Sequence, residues 1–177
     1  MVKKIAIFFG YISFFILALI YFTPKISLYY FAEQELKVFD VVVNGESLKD
    51  NGFSLKVDNA VVNIKSIESA KIQTLDINIF GLLNSVNISN IELSSTAKAF
   101  IPLKIESVKI NHNLFDPVHI NAQVLGEFGE ANVVVDILQR VVNITLSPSK
   151  LMQSKYKSTL RNLKKSENGE FIYEKTF

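Results

Sequence analysis

The feature that most constrains this chain is an uninterrupted apolar run close to its first residue. Residues 5–22 read IAIFFGYISFFILALIYF and contain no charged side chain. A helix of that length spans roughly 27 Å, which is close to the hydrocarbon thickness of a bilayer. Lys3 and Lys4 precede the run, so the positive-inside rule places the N-terminus in the cytoplasm. The run predicts a single-pass anchor over residues 1–23, with the remaining chain across the membrane.

Two other interpretations compete with the anchor. A cleaved signal peptide needs small residues just after its apolar core, whereas residues 19–22 are bulky. A buried core helix normally keeps a polar stripe, and this run offers only Tyr11 and Ser13. The pattern therefore favours an anchor that stays attached to the mature protein.

A second helix is predicted over residues 24–37. Thr23 followed by Pro24 is typical of a helix start, with threonine as the N-cap and proline at the first helical position. The helix either lies at the membrane surface or continues the anchor, and the sequence leaves both alternatives open. Its apolar face would carry Leu28, Tyr29, Ala32 and Leu36.

From residue 38 onward the apolar period changes to two, which is typical of strands with one apolar face. Short polar turns separate the strands, and no helical pattern is long enough for parallel crossovers. We therefore expect a mainly β fold over residues 38–177, an antiparallel domain built as a curved open sheet or a sandwich. The apolar phase flips near Asn90, which predicts a β-bulge there.

One late amphipathic helix is predicted over residues 148–166. Ser147 and Pro148 form the start signal, and Asn168 with Gly169 the stop. The apolar face would carry Met152, Tyr156, Leu160 and Leu163 and dock on the sheet. The basic residues either contact anionic lipid headgroups or form a solvated surface, and both alternatives stay open. They are Lys150, Lys155, Lys157, Arg161, Lys164 and Lys165.

The apolar strand faces also have two interpretations. They close on each other as a dry core, which is the default for a small β domain. Alternatively they line a groove that accepts acyl chains, and alternation does not separate the two. The groove would be lined by Leu75, Ile77, Ile79, Val118, Ile120 and Val124.

Reaction chemistry is not visible in the sequence. The chain has no cysteine, no Gly-x-Ser-x-Gly elbow, no phosphate-binding glycine loop and no His-Glu-x-x-His motif. His112, Asp116 and His119 flank a turn, but surface positions on a hairpin explain them better than a metal site. The net charge of +2 does not indicate a nucleic-acid binder. We expect a protein that is not an enzyme, with no cofactor, metal or nucleic-acid partner.

The layout resembles two families of envelope proteins. The anchor, the proline-started helix and residues 51–62 (NGFSLKVDNAVV) resemble the opening of AsmA-like proteins and of type II secretion system protein N. Residues 75–93, two alternating runs joined through FGLL, resemble the same families. In layout alone the chain also resembles the bitopic lipopolysaccharide-transport protein with one helix and a periplasmic β-jellyroll. The resemblance implies a bacterial inner-membrane anchor, a periplasmic domain with an open, curved sheet, and work in envelope assembly, secretion or lipid transport.

Together these observations favour an accessory or scaffold component of a secretion or outer-membrane assembly system, with membrane lipids and other envelope proteins as partners. The alternative is a lipid-binding or lipid-transfer module with an apolar groove. An open sheet with an apolar lining would favour the lipid module, whereas a closed and fully packed sandwich would favour the scaffold.

Overall fold

The computed structural model of the chain describes residues 2–79 and 83–177. It begins with two helices, α1 (Val2–Phe22) and α2 (Lys25–Lys37). The strands that follow are β1 (Val41–Asn44), β2 (Ser47–Asp50), β3 (Ser54–Ile64), β4 (Ile67–Ile79), β5 (Leu83–Leu93), β6 (Lys104–Asn113), β7 (Asp116–Gly126), β8 (Gly129–Asp136), β9 (Val141–Pro148), β10 (Lys164–Lys165) and β11 (Phe171–Thr176). A short 3-10 helix (Ser95–Ala99) precedes β6, and α3 (Lys150–Lys155) and α4 (Lys157–Arg161) follow β9.

All described strands belong to one antiparallel sheet. β1 and β2 pair end to end with one edge of β3, and β3 to β9 then follow one another in chain order. The last strand, β11, lies between β9 and β10. The prediction of a mainly β fold is confirmed, and of its two forms the structure has the open sheet.

The turns of this meander lie at two opposite ends of the strands. One end carries the turns β2–β3, β6–β7 and β8–β9 together with the end of β4 and the start of β5, and the other carries β3–β4, β5–β6 and β7–β8. Residues 80–82, in the segment FGLL, lie outside the described residues. The ring of Tyr21, at the end of α1, lies 5.4 Å from the ring of Phe53 in the β2–β3 turn. We call this the anchor end of the sheet and the opposite one the far end.

The register places the apolar residues of successive strands opposite one another, on one face of the sheet. The opposite face carries polar side chains, such as the row Asn78, Ser85, Asn111 and Asn121. One apolar row consists of Val57, Leu75, Ile88, Val108, Val124, Ala131 and Leu146. The next consists of Leu55, Ile77, Val86, Ile110, Ala122, Val133 and Ile144.

The bulge predicted near Asn90 is wrong. Strand pairing continues in unbroken register on both sides of this residue, so no extra residue is inserted. Asn90 instead adopts a left-handed backbone conformation, with φ 54°, and its side-chain amide donates to Gln73 at 2.6 Å. Asparagine tolerates this conformation better than most residues. The left-handed conformation of Asn90 therefore moves the apolar residues of β5 from even to odd positions, and no residue is inserted.

Two clusters cover the apolar face at opposite sides of the strand order. On one side α2 packs Ile26 and Tyr29 against Leu55, Val57 and Ala60, and we call this the α2 cluster. On the other side α3 and α4 pack on the last strands. That group, the α3/α4 cluster, has a buried core of Phe128, Ala131, Leu146, Met152 and Leu160.

The helix expected over residues 24–37 is present as α2, but its start and its packed face differ from the prediction. The Thr23 hydroxyl donates back to the carbonyl of Leu19 at 2.7 Å, and Pro24 occupies the N-cap position. Of the predicted apolar face only Tyr29 packs on the sheet. Leu28, Ala32 and Leu36 are exposed.

The late amphipathic helical segment is confirmed, but it forms two short helices, α3 and α4, rather than the single helix predicted over residues 148–166. The helix breaks at Tyr156, where φ is −117° and ψ is 35°, and ends at Arg161. Ser149 rather than Ser147 is the N-cap, accepting from the Met152 backbone N–H at 3.1 Å. β9 continues through Pro148, because its pairing with β8 extends to that residue.

The predicted stop signal also has another role. Lys164 and Lys165 pair with β11, and Asn168 and Gly169 lie in the turn before that strand. The predicted apolar face is nevertheless confirmed, since Met152 and Leu160 are buried in the α3/α4 cluster and Tyr156 and Leu163 pack against it. Tertiary packing of these four side chains holds the two short helices on the sheet.

Candidate functional site

The centre of the apolar face lies between the two clusters. α2 contacts β1, β2 and β3, and α3 contacts β9. In the two apolar rows described above, six aliphatic side chains of β5 to β8 belong to neither cluster and are only half-buried. We call them the apolar floor: Val86, Ile88, Val108, Ile110, Ala122 and Val133.

The register places all six predicted groove residues on this apolar face, though in different surroundings. Leu75 and Ile77 pack against the α2 cluster, and Val124 packs against the α3/α4 cluster. Ile79, Val118 and Ile120 lie towards the anchor end and are half-buried. These residues surround the floor, whereas none of the six floor residues was predicted as lining. Their alternation is visible in the sequence, but long-range pairing alone shows that no helix covers them.

The floor is chemically suited to hydrocarbon. Its side chains carry no polar atom, and neighbouring strands lie about 4.8 Å apart, so β4 to β9 span roughly 24 Å. Each methylene of an acyl chain that leaves water for such a surface contributes about 0.8 kcal/mol. The face therefore suits an elongated apolar ligand better than a compact polar one.

A cavity of about 670 Å³ lies across β3 to β6, towards the far end. Its lining includes the apolar row Ala60, Ile72, Ile91 and Ile105. Charged side chains of the same strands also line it, namely Lys71, Glu92, Lys104 and Glu106. This combination of apolar and charged groups is compatible with an amphipathic molecule.

The six predicted basic residues are all exposed, and within the described chain none lies within 4 Å of a carboxylate. Lys157, Arg161 and Lys165 line a cavity of about 510 Å³ together with the apolar side chains of Leu160 and Phe171. α3 begins where β9 ends, at the far end of the sheet. An eight-residue strand spans roughly 25 Å, so this basic surface is well separated from the anchor end.

His119 belongs to a small polar cluster on β7 and β8. Its Nδ1 lies 2.9 Å from Asp116 Oδ1, and its Nε2 lies 3.6 Å from Asp136 Oδ2. The hydrogen bond to Asp116 raises the pKa of His119 above its ordinary value. His112 pairs with Ile120, so alternation places it on the opposite face from His119. The two histidines do not converge, and among the described residues no group of three His, Asp or Glu side chains is arranged so that it could hold a metal ion.

Sequence reasoning missed the joint between α1 and the sheet. Lys25 is 1% exposed, and its ammonium donates to the carbonyls of Ile20 at 3.0 Å and Thr23 at 3.1 Å. Asp50 of β2 lies 3.8 Å from the same nitrogen. A cation at a helix C-terminus satisfies free carbonyls and opposes the helix dipole. The carbonyl contacts are local to the end of α1, but no local signal reveals the pairing with Asp50, because Asp50 is distant in sequence.

Comparison with known proteins assigns no family to the chain. No protein-family model matches it, and neither does any curated protein or any solved structure. The resemblance to AsmA-like and secretion-system proteins therefore stays a prediction. The functional argument rests on the apolar face, the basic surface and the first helix, which is long and apolar enough to cross a membrane over Lys3–Phe22.

Proposed function

We propose that this protein is a membrane-anchored lipid-binding module that holds acyl chains on the open apolar face of its sheet. In this proposal α1 crosses the bacterial inner membrane with its N-terminus in the cytoplasm, and the sheet lies in the periplasm. The lipid is a ligand that is bound or passed on, and no chemical step is involved.

One observation carries the proposal: the apolar floor lies on a single sheet between two helix-covered clusters. A folded domain gains free energy by removing aliphatic side chains from water, at about 25 cal/mol per Å². Here six neighbouring aliphatic residues stay half-exposed on one face. Contiguous apolar surface of this kind is typical of binding sites. An acyl chain has the shape and chemistry to cover it.

The membrane part of the proposal is supported by α1. The helix segment Lys3–Phe22 has a mean hydropathy of 2.4, and none of its apolar stretch is buried within the protein. In water it would expose large side chains such as Phe8, Phe14 and Phe15 on all sides. A bilayer core solvates such a helix, and Lys3 and Lys4 set its orientation.

Site-specific photo-crosslinking in living cells tests the lipid part directly. A benzophenone amino acid at position 110 would replace Ile110 on the floor, and one at position 111 would replace Asn111 on the polar face of the same strand. We expect lipid adducts, identified by intact-mass spectrometry, at position 110 and none at position 111. Equal labelling of the two positions, or labelling of neither, would overturn the lipid-binding proposal.

A second candidate function is supported by the basic surface. Six exposed cations that lie apart from the anchor end suit an acidic partner better than the membrane that α1 would cross. This favours an accessory role in an envelope secretion or assembly system, in which the far end docks on an acidic protein. A crosslinkable residue at position 157 would then capture a protein, and position 109 on the central polar face (Lys109) would serve as the control.

A further inference from the structure

The anchor end of the sheet carries exposed apolar side chains in two hairpin turns and at the first residue of β5. In the two-residue turn between β6 and β7, Leu114 is 54% and Phe115 78% exposed. In the β8–β9 turn, Ile137 is 46% and Leu138 77% exposed. Leu83, at the start of β5, is 59% exposed. We call these five residues the apolar rim.

Such residues are unusual at hairpin tips. Tight turns between strands are normally occupied by Gly, Asn, Asp or Ser, which tolerate the required backbone angles and are well solvated. The two-residue β3–β4 turn at the far end has Lys65 and Ser66, with φ 51° and 63°. The equivalent positions of the β6–β7 turn have Leu114 and Phe115 instead. Turn geometry therefore does not explain the rim.

The position of the rim relative to α1 indicates what covers it. Ile79, the last residue of β4, donates its backbone N–H to Phe53 at 3.0 Å, and the ring of Phe53 contacts Tyr21 of α1. A Cβ on Gly52, in the same turn, would clash with the Tyr21 ring, so helix and turn are in close contact. The last turn of the apolar helix and the rim thus belong to the same end of the sheet.

We propose that the apolar rim inserts into the surface of the bilayer that α1 crosses, so that the hairpins form a second membrane contact. The inference rests on the proposed membrane anchoring by α1, but not on lipid binding by the floor. Apolar side chains at such a surface enter the boundary between headgroups and acyl chains. The polar cluster of Asp116, His119 and Asp136 lies directly behind the tips and limits insertion to the rim.

Insertion at the rim also deepens the proposed function. Ile79, Val118 and Ile120 continue the apolar face from the rim towards the floor. On β4 and β7 a lipid leaving the bilayer at the rim would then reach the floor along aliphatic side chains, whereas on β5 and β6 it would pass Asn84 and His112. The occupant we assign to the rim is the bilayer itself, with no requirement for anionic headgroups.

The chain has no cysteine, so single labels can be placed without background. The full chain, reconstituted in phosphatidylcholine nanodiscs, would carry an environment-sensitive fluorophore on Phe115→Cys or on Leu138→Cys. Phe100→Cys is the matched control, because Phe100 is an exposed aromatic residue between β5 and β6, at the far end. Phe14→Cys, within α1, reports on the anchor. Quenchers are doxyl groups on the lipid chains and, separately, aqueous iodide.

We expect the labels at 115 and 138 to be quenched by doxyl lipid and protected from iodide, and the label at 100 to behave in the opposite way. Suppose that the labels at positions 115 and 138 are quenched by iodide, like the label at position 100, while the label at position 14 is quenched by doxyl lipid. The rim proposal is then wrong and the membrane anchor stands. If the label at position 14 is quenched by iodide, α1 does not span the bilayer. The proposed membrane anchor and the rim proposal then fail together. Lipid adducts at position 110 remain a separate measurement of the floor.

Discussion

Val57 and Val108 are the same residue type in the same apolar row, yet their surroundings differ. Val57 is 1% exposed beneath α2, whereas Val108, on the central strand β6, is half-buried. Both alternate with polar residues in the same way, so the local pattern does not distinguish them. The difference teaches that alternation assigns a residue to a face, while a covering helix decides whether that face becomes a core.

The largest expected effect comes from a charge at these two positions. Val57→Asp should unfold the domain or cost at least about 3–5 kcal/mol, because it leaves an uncompensated carboxylate in a buried site. Val108→Asp should cost about 1 kcal/mol, since water reaches the half-buried carboxylate. Thermal unfolding of the full chain in detergent, followed by circular dichroism, measures both. Equal losses of stability in the two variants would mean that the centre of the apolar face is as well covered as the α2 cluster.

The second prediction compares core and surface within the α3/α4 region. Leu160→Ala should lower stability by about 2–5 kcal/mol, because Leu160 is 5% exposed in the cluster. Replacing Lys155, Lys157, Arg161 and Lys164 with Gln should change stability by less than about 0.5 kcal/mol, since solvated charges contribute little. Denaturant unfolding of both variants gives the comparison.

The same quadruple variant tests what the basic surface binds. Full chain in neutral nanodiscs is mixed with anionic vesicles at low salt, and flotation measures binding. If the surface recognises anionic headgroups, the natural chain binds, the variant does not, and added salt abolishes binding. If the natural chain ignores the vesicles, membrane recognition by this surface is excluded, which favours the acidic protein partner.

A third, smaller effect is expected at the joint beside the α2 cluster. Lys25→Met should cost about 1–3 kcal/mol, because it leaves the carbonyls of Ile20 and Thr23 without their buried donor. Lys37→Met is the control on the same helix, because the Lys37 side chain is 51% exposed where it pairs with Glu33 at 3.1 Å, and its loss should cost less than about 1 kcal/mol. Similar losses in the two variants would contradict the role of Lys25 as a helix cap.

The smallest effect is expected from His119, on the open central strands. Its raised pKa should appear as a proton NMR titration midpoint above 6.5, and Asp116→Asn should lower that midpoint. Because the folded-state pKa is raised, the stabilisation is present below pH 6.5 and is lost as pH rises through the folded pKa. His119→Asn should therefore flatten the dependence of the melting temperature on pH in this range. If the melting temperature of His119→Asn depends on pH as it does in the unsubstituted protein, the hydrogen bond between His119 and Asp116 does not stabilise the fold.

Much of the strand arrangement could be read from the chain. Alternation in Leu75, Ile77 and Ile79 assigned one face, and polar turns indicated an antiparallel meander. Errors occurred where two signals competed. Ser147 and Pro148 read as a helix start, but pairing with β8 keeps them in β9, since ladder hydrogen bonds outweigh a local capping preference. At Asn90 a left-handed residue produced the same change of phase as a bulge.

The candidate site was less predictable than the fold. The sequence identified apolar and basic residues but not their neighbours, and the joint at Lys25 depends on Asp50, which is remote in the chain. The apolar rim is a similar case. Leu114 and Phe115 stand between two strands in the sequence, and only the common direction of the β6–β7 and β8–β9 hairpins places them with Leu138 at one end.

The sequence by itself determined the apolar first helix, the strand periodicity and the side of each strand that is apolar, because these depend on residues a few positions apart. Only the tertiary structure decided that the sheet stays open, that the floor lies uncovered between two clusters, and that the rim shares an end with α1. These features depend on pairings between distant strands and on the rotation of packed helices. Their free energies come from contacts that no local window contains.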